Sequence, residues 1–187
     1  MTRRQQTINT GWKFRRGDTP EAFARGFDDS AWRDVTLPHD WSVEEPFSRD
    51  HSSGGGYLAG GVGWYRTRIH LPPEAAGKRV LLVFDGVYNN SQVWANSYYL
   101  GRQPYGYTGF CRDISHAAAF GEATDIAVRV DHRHTADSRW FTGSGMTRKV
   151  SLVLKNPVCL AHQGVFFFTK TADSGQAELG IRCVVEN

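Results

Sequence analysis

Hydrophobic and polar positions alternate over several short stretches of this chain, and turn residues separate the stretches. Residues 80–84 (VLLVF) form an apolar run that ends at the Asp-Gly pair of 85–86, and residues 92–96 (QVWAN) form a second run. A third run ends at residues 100–101, before the Gly- and Tyr-rich segment 104–110. Short runs of this kind, separated by turn residues, are typical of β-strands. The pattern predicts an all-β fold, an antiparallel β-sandwich.

The same pattern continues on both sides of this region. Trp12 and Phe14 fall on one face of a first short strand. Residues 65–71 alternate between mainly apolar and basic positions, which predicts a half-buried strand with one face in water. Two more alternating runs lie at 126–130 and 150–154, and both are predicted to be strands.

The strand pattern breaks at Asn156-Pro157, and this dipeptide is typical of a domain boundary. Beyond it, residues 159–171 and 178–185 form two further β-type runs, with turn residues at 173–176 between them. We therefore expect one domain over residues 1–156 and a second unit over 157–187.

The composition is that of a globular protein and narrows the choice of partners. The chain has 187 residues, of which 40% are hydrophobic and 22% are charged, and its net charge is +3. Charges of both signs are interspersed without a run of Lys or Arg, so no nucleic-acid partner is expected. No stretch is apolar enough to form a transmembrane segment, so no membrane partner is expected either. The six Trp fit stacking on sugar rings, although most of them are expected in the core.

Cysteine usage and the N-terminus bear on the cellular compartment. Cys111, Cys159 and Cys183 are odd in number and widely spaced, which predicts neither a disulfide framework nor a zinc site. The first six residues carry two Arg without an apolar run behind them, so they do not form a signal peptide. These features favour the cytoplasm, and a periplasmic or secreted protein is the alternative if a signal was removed.

Three motifs suggest chemistry, and each also has a structural interpretation. His39-Asp40 has the composition of an acid/base pair, but adjacent residues of an extended chain point in different directions, which favours structural hydrogen bonding. The Gly-rich residues 54–63 lack the Lys-Ser/Thr ending of a phosphate-binding loop. His132 and His134 have no third ligand nearby in the sequence, so no metal site is expected.

Four motifs together resemble a known family. The chain is similar to the N-terminal sugar-binding domain of glycoside hydrolase family 2, and within it to bacterial β-galactosidase-like members. The resemblance covers nearly the whole chain, and its motifs occur in the family's order. They are D-D-S-x-W and L-P-H-D-W at 28–32 and 37–41, G-G-G-Y-L-x-G-G-V-G-W-Y-R at 54–66, D-G-V-Y-x-N-S-x-V-W at 85–94, and R-W-x-T-G-S-G-x-x-R at 139–148.

The resemblance implies a more specific architecture. Residues 1–156 are expected to form a jelly-roll, galactose-binding-like β-sandwich. Residues 157–187 are expected to be the start of an immunoglobulin-like β-sandwich that is cut short; in the family a (β/α)8 barrel follows. Because an apolar strand face would then lack its partner sheet, we expect 158–187 to pair with a neighbouring molecule or to be poorly ordered.

The resemblance also implies that this chain and the barrel have different roles in the enzyme. Retaining glycosidases use two carboxylates about 5 Å apart, and in this family both are Glu residues on strands of the barrel. A barrel takes roughly 250 residues, so we expect no catalytic residue, no hydrolysis and no cofactor in this chain. The expected function is to shape the sugar pocket of a β-galactosidase-like enzyme. The expected partners are a β-galactoside-like carbohydrate and the enzyme's own barrel, with a homo-oligomer as a further option.

Three site residues follow from the resemblance. Asp131 matches an Asp that contacts the non-reducing sugar in the family's β-galactosidases. Its carboxylate would accept hydrogen bonds from sugar hydroxyls, and a role as a strand-ending turn residue is an equally weighted alternative. Arg139 and Trp140 match the family's R-W pair, which implies either sugar contacts or contacts with the barrel. The barrel contacts are favoured for both.

Departures from the family pattern limit these implications. Residues 95–97 read A-N-S where many members have V-N-G, so Asn96 is expected to supply the positive φ of that turn. Met146-Thr147 lacks the aromatic residue that members usually carry there, which bears on one interdomain contact. Residues 59–61 lack the Asn found in one β-galactosidase subgroup, so a preference for galactose is not secured.

Two other function classes fit the same residues. A stand-alone carbohydrate-binding module can have this size and aromatic content, but it would be expected to end near Lys155. A structural or oligomerisation domain without sugar binding is the second alternative, since a fold does not decide function. Affinity for monosaccharides would distinguish this last class from the other two.

Overall fold

The computed structural model describes residues 3–134 and 140–187, and strands and turns dominate these ranges. Short 3₁₀ helices lie at Pro20–Phe23, Ser42–Glu44, Ser53–Gly55 and Pro73–Ala75. None of the helices in the described ranges is long and apolar enough to cross a membrane. The strands are β1 (Arg4–Thr7), β2 (Trp12–Arg16), β3 (Arg33–Val35), β4 (Gly61–His70), β5 (Arg79–Phe84), β6 (Ser91–Ala95), β7 (Tyr98–Gln103), β8 (Phe110–Asp113), β9 (Ala123–His132), β10 (Val150–Lys155), β11 (Cys159–Ala172) and β12 (Ala177–Glu186).

Two sheets form a sandwich whose named strands all pair antiparallel. One sheet has the order β3-β2-β4-β9-β6-β7, and the other has the order β1-β10-β5-β8. The side chains that face each other across the two sheets form the main core. The predicted all-β sandwich is therefore confirmed. The largest side chains buried in the main core include those of Trp12, Trp41, Tyr65, Leu82, Phe84, Ile126 and Met146.

The alternation of the sequence accounts for the strands of the core. In β9 the side chains of Ile126, Val128 and Val130 point into the sandwich, because successive residues of a strand face opposite sides. The turn between β6 and β7 places Asn96 at φ 45° and Ser97 at φ 73°. The expectation that Asn96 supplies a positive φ is confirmed, and its side-chain amide also donates to the carbonyl of Ala117 at 2.8 Å.

The expectation of one wet face on the strand over 65–71 is confirmed for Arg68 and His70, which are exposed, and is wrong for Arg66. Arg66, on the outer face of β4, is only 1% exposed. The segment 18–32 crosses this face and buries a second apolar cluster around Trp32, Trp64 and Ala127. A covering segment that lies far away in sequence leaves no trace in the local alternation of a strand, so the pattern alone does not reveal it.

Burial of Arg66 is compensated by two carboxylates. Its Nε lies 2.9 Å from Asp29 Oδ2, and its second amino group lies 3.4 Å from Asp125 Oδ2. Arg68, which is about half exposed, reaches the same pair through contacts of 3.4 Å to Asp29 and 3.0 Å to Asp125. A buried charge needs such partners, so this network fastens the covering segment to the sheet.

Strands β11 and β12 form a hairpin beyond the sandwich, as the two C-terminal runs predicted. Its base is held by an ion pair between Arg79 and Glu186 at 2.6 Å and by a hydrogen bond from Lys155 Nζ to the carbonyl of Leu160 at 2.7 Å. The domain boundary stays a prediction, and so does the expectation that residues 158–187 pair with a neighbouring molecule or are poorly ordered. Apolar side chains exposed on the hairpin or directly before it are those of Val158, Leu160, Val165, Phe166, Phe167, Leu179, Ile181, Val184 and Val185.

Candidate functional site

Four connections between strands meet at one end of the sandwich. They follow β3, β5 and β7 and precede β10, so loops from both sheets converge there. Binding residues are often carried by loops that a rigid scaffold positions, which makes this region the candidate site. We call it the loop end; its described residues are 37–60, 85–90, 104–109 and 140–149.

Backbone hydrogen bonds lock the loops together. The amide of His39 donates to the carbonyl of Met146 at 2.9 Å, which joins the first loop to the last. Tyr88 and Gly145 exchange two amide-to-carbonyl hydrogen bonds, each 2.9 Å long. Asn90 N–H donates to the carbonyl of Pro104 at 3.2 Å. The loop end is thus a hydrogen-bonded unit rather than a set of separate loops.

Gly145 lies where the loops cross, and no other residue fits there. Its φ is +128°, in the region that favours glycine. A Cβ at this position would lie 2.3 Å from the Tyr65 hydroxyl and 2.7 Å from the carbonyl oxygen of His39. The second glycine of the G-S-G motif therefore has a steric reason.

Asp40 presents one carboxylate oxygen to a cleft at the loop end. Its Oδ1 accepts hydrogen bonds from the backbone amides of Ser42 at 2.9 Å and Ser144 at 2.8 Å. Its Oδ2 accepts none from the described residues and lies beside Gly143, where a Cβ would approach within 2.9 Å. Burial raises the pKa of Asp40. The cleft has a volume of about 370 Å³ and is lined by Pro38, His39, Asp40, Val43, Phe141, Thr142, Gly143 and Thr147.

His39 is held by a different set of groups from Asp40. Its Nδ1 lies 2.7 Å from the Tyr65 hydroxyl, and its Nε2 lies 3.1 Å from Arg33 and 3.3 Å from Glu44. Burial lowers the pKa of His39. The two neighbours therefore form no acid/base pair with each other, in agreement with the structural hydrogen bonding that the sequence favoured.

Exposed aromatic side chains edge the loop end. Trp140 is 61% exposed, and its Nε1 donates to the hydroxyl of Tyr107 at 2.8 Å. The Tyr107 ring packs edge-on against Tyr88, with ring centroids 5.3 Å apart. Phe141 and Tyr105 are exposed beside them. We call Tyr105, Tyr107, Trp140 and Phe141 the aromatic rim.

Asp131 lies at the end of β9, on the outer face of its sheet, away from the main core. It is paired with Val62, whose side chain belongs to the outer apolar cluster under the covering segment. Its carboxylate accepts hydrogen bonds from Arg133 at 2.6 and 2.9 Å and from Arg129 at 3.2 Å. The described contacts do not bring Asp131 together with Trp140, and Arg139 lies outside the described residues. The assignment of these three residues to sugar binding stays a prediction.

The ion pairs of Asp131 predict a defined pH dependence of stability. Hydrogen bonds from Arg133, and secondarily the charge of Arg129, lower the pKa of Asp131 from 3.8 to about 2. A depressed pKa contributes stability that is complete above the unfolded value and lost as the pH falls through the folded value. The advantage of the wild type over Asp131→Asn in unfolding free energy should therefore be constant down to about pH 5 and should shrink from there toward pH 2.

Urea unfolding at a series of pH values measures this advantage directly. Arg133→Ala removes the main cause of the lowered pKa, so it should reduce the pH-dependent part while leaving the carboxylate in place. A difference between wild type and Asp131→Asn that stays unchanged down to pH 2 would contradict the assignment.

Sequence reasoning missed the hydrogen bonds of Ser42, Ser144 and His132. Ser144 Oγ lies 2.5 Å from Ser42 Oγ and 2.6 Å from His132 Nδ1. Ser42 and Ser144 are 102 residues apart in the chain, and only the G-S-G motif drew attention to one of them. His132 had been considered as a metal ligand. Among the described residues, no group of three or more His, Cys, Asp or Glu side chains could hold a metal ion.

Comparison with protein families identifies most of the chain. Residues 19–157 match the family profile of the glycosyl hydrolases family 2 sugar binding domain. The chain is 40% identical to the β-galactosidase BoGH2A of Bacteroides ovatus over 187 residues, which are 99% of this chain and 22% of that protein. It is 38% identical to a putative β-glucuronidase of Formosa agariphila over 179 residues, which are 95% of this chain and 17% of that protein.

Solved structures agree with the sequence relatives. A β-glycosidase from Bacteroides vulgatus superposes with a TM-score of 0.91 at 35% identity, over 98% of this chain and 24% of that one. A β-glucuronidase from Bacteroides uniformis gives a TM-score of 0.87 at 29% identity, over 98% of this chain and 22% of that one. The chain thus spans about a sixth to a quarter of the length of these relatives. It belongs to glycoside hydrolase family 2, and residues 19–157 match the sugar-binding domain of that family.

Proposed function

We propose that the chain is the N-terminal domain of a longer retaining β-glycoside hydrolase, and that its loop end forms one wall of the substrate pocket. The observation that carries this proposal is the combination of an exposed aromatic rim with the Asp40 carboxylate at the same end of the sandwich. The relatives carry the names of β-galactosidases and β-glucuronidases, and this chain corresponds to only a small part of each.

In this proposal the chain binds and orients the sugar, and a separate domain performs the hydrolysis. The two carboxylates of a retaining glycosidase lie about 5 Å apart, and we assign them to a (β/α)8 barrel encoded beyond this chain. The rigid loop end would exclude water from one side of the sugar and fix the orientation of its ring. Such positioning raises the rate of a reaction because the reacting groups are held in place before the bond breaks.

Trp140 and Tyr107 of the aromatic rim are assigned to the contact with the catalytic domain, and Phe141 is assigned to the Asp40 cleft. Trp140 is 61% exposed and Tyr107 is 39% exposed. Covering apolar surface gains about 25 cal/mol per Å², so rings of this size favour docking. The hydrogen bond between Trp140 and Tyr107 fixes the orientation of the indole in advance. This role agrees with the preference that the resemblance gave for Trp140.

Two carboxylates are candidates for the contact with sugar hydroxyls. Asp131 is implied by the resemblance, and its oxygens already accept hydrogen bonds from Arg129 and Arg133. Asp40 has an oxygen that faces the cleft next to the exposed ring of Phe141. An aromatic ring beside a carboxylate suits a sugar, because the ring packs on the apolar face of the sugar and the carboxylate accepts hydrogen bonds from its hydroxyls. We therefore add Asp40 as a second acceptor, and we propose a β-galactoside as the substrate.

Hydrolysis by the longer enzyme tests these assignments. Nitrophenyl β-galactoside, β-glucuronide and β-mannoside are compared for the wild type and for Asp40→Asn, Asp131→Asn and Trp140→Ala. A hydrogen bond to a charged group is worth roughly 1.5–3 kcal/mol, so loss of the contacting carboxylate should lower kcat/KM about 10- to 100-fold. Asn keeps the shape of Asp, and it still has an oxygen that accepts backbone amides.

Tyr98→Ala is the matched control for these variants. Tyr98 is as exposed as the rim residues but lies on β7, outside the loop end. It should keep the wild-type kcat/KM on all three substrates. If the Asp40, Asp131 and Trp140 variants also keep it, the loop end is not part of the pocket and the proposal is wrong.

A further inference from the structure

Three buried side chains form a line behind the Asp40 carboxylate. His132 Nδ1 lies 2.6 Å from Ser144 Oγ, which lies 2.5 Å from Ser42 Oγ. Ser42 Oγ in turn lies 2.7 Å from the carbonyl oxygen of Ala59. Ser42, Ser144 and Ala59 are each no more than 4% exposed. Hydrogen bonds within this line are therefore made between protein groups.

The number of protons that these groups can donate determines the donor and the acceptor in each hydrogen bond of the line. A carbonyl oxygen only accepts, and a hydroxyl has one proton to donate. No other donor among the described residues reaches the Ala59 carbonyl, and a buried carbonyl requires one. The Ser42 proton therefore goes to Ala59. The Ser144 proton then goes to Ser42, and Ser144 Oγ is left to accept from His132.

We propose that His132, Ser144 and Ser42 form a one-way hydrogen-bond relay that fixes neutral His132 as its Nδ1–H tautomer, with Ser144 as the positioning residue of the loop end. Neutral histidine in water favours the other tautomer, with the proton on Nε2. The tautomer in a protein is set by the hydrogen bonds of the ring. The relay ends at the carbonyl oxygen of Ala59, three hydrogen bonds away from the ring. This acceptor determines which ring nitrogen of His132 carries the proton.

The relay also fixes the carboxylate in front of it. Ser42 and Ser144 both donate their backbone amides to Oδ1 of Asp40, and their hydroxyls bond each other behind it. Their joint position thus holds Oδ1 and leaves Oδ2 toward the cleft. The relay itself concerns only contacts within this chain. Its consequence for sugar binding rests on the proposed function.

Nitrogen-15 NMR of the 187-residue chain tests the relay directly. Long-range proton–nitrogen correlations distinguish a protonated ring nitrogen from an unprotonated one, and the signals of His132 are identified by their absence in His132→Gln. The spectrum is recorded at about pH 8, above the ordinary histidine pKa of about 6.5. A protonated Nδ1 and an unprotonated Nε2 are expected. The reverse assignment would overturn the proposal.

Ser42→Ala provides the sharper readout. This variant leaves His132 and its direct partner Ser144 intact but removes the acceptor of the Ser144 proton. Ser144 should then donate to His132 Nδ1, and the two nitrogen signals of the ring should exchange their positions. A ring that keeps its Nδ1 proton in Ser42→Ala would overturn the relay.

Ser151→Ala is the matched control. Ser151 is 1% exposed on β10, and its hydroxyl has no hydrogen-bond partner among the described residues. Its removal should leave the His132 signals unchanged. Because this test uses the chain alone, its failure leaves the Asp40 and Trp140 assignments untouched, and their failure in hydrolysis assays would leave the relay untouched.

Discussion

Arg66→Met is expected to destabilise the sandwich by about 3–5 kcal/mol, the cost of removing one partner from a buried ion pair. Arg66 is buried between the sheet and the segment 18–32, where it forms ion pairs with Asp29 at 2.9 Å and with Asp125 at 3.4 Å. Met fills a similar volume, so the change removes the charge and the donors and leaves most of the packing. Both carboxylates would remain buried with only the half-exposed Arg68 as a guanidinium partner.

Arg68→Met is the matched control for this prediction. It removes a guanidinium from the same two carboxylates, but Arg68 is 47% exposed and water screens its ion pairs. Its loss should cost no more than about 1 kcal/mol. Urea unfolding of both variants gives the comparison. Equal losses in the two would show that burial of Arg66 does not set the strength of the network.

Gly145→Ala is expected to have the second large effect, a loss of stability beyond the roughly 1–3 kcal/mol of a strained backbone conformation. The new Cβ would combine an unfavourable φ of +128° with overlaps at the Tyr65 hydroxyl and the His39 carbonyl. Relief of these overlaps would require the crossing loops to separate. The hydrogen bonds between Tyr88 and Gly145 would then weaken, and with them the loop end.

Gly77→Ala separates the two causes of this loss. Gly77 has a φ of +77°, but a Cβ there would meet no atom within 4 Å. Its loss of stability should therefore reflect the backbone conformation alone. In urea unfolding, Gly145→Ala should be clearly less stable than Gly77→Ala. If the two variants unfold at the same urea concentration, the loop crossing is not tightly packed.

Local patterns in the sequence located central strands of the sandwich, but they did not predict the edge strands β1 and β8 or the layers around the sheets. Apolar runs located β5 and β6, and alternating residues located β9 and β10, because burial on one face of a strand repeats every second residue. The same logic was wrong for one position of β4, Arg66, which a covering segment from elsewhere in the chain buries. Ion pairs such as Arg66 with Asp29 are contacts over long sequence separations, and no local pattern reports them.

The loop end was harder to predict than the fold for two physical reasons. Its contacts join residues that are far apart in sequence, such as Asp40 and Ser144, which are 104 positions apart. The direction of a side chain at a strand end also depends on a single residue, since a step of one reverses the face. Asp131 faces the outer layer for this reason, whereas the next residue, His132, turns inward to Ser144.

The resemblance supplied the family assignment, which neither the hydrophobic pattern nor the geometry of the structure contains. Four motifs in order identified family 2, and the family profile covers residues 19–157. Physical reasoning from the residues alone had left a binding module and a structural domain open. The geometry adds positions that the motifs did not single out, namely the Asp40 carboxylate and the serines behind it.

Side-by-side hydrolysis of nitrophenyl β-galactoside by the longer enzyme and by the 187-residue chain tests the central claim most directly. If this domain shapes a pocket whose catalytic groups lie elsewhere, the longer enzyme should hydrolyse the substrate, and the chain alone should give no more product than buffer. Hydrolysis by the chain alone would place catalytic groups within it. A longer enzyme that is inactive on the galactoside, the glucuronide and the mannoside would contradict the assignment to a β-glycosidase of these substrate classes.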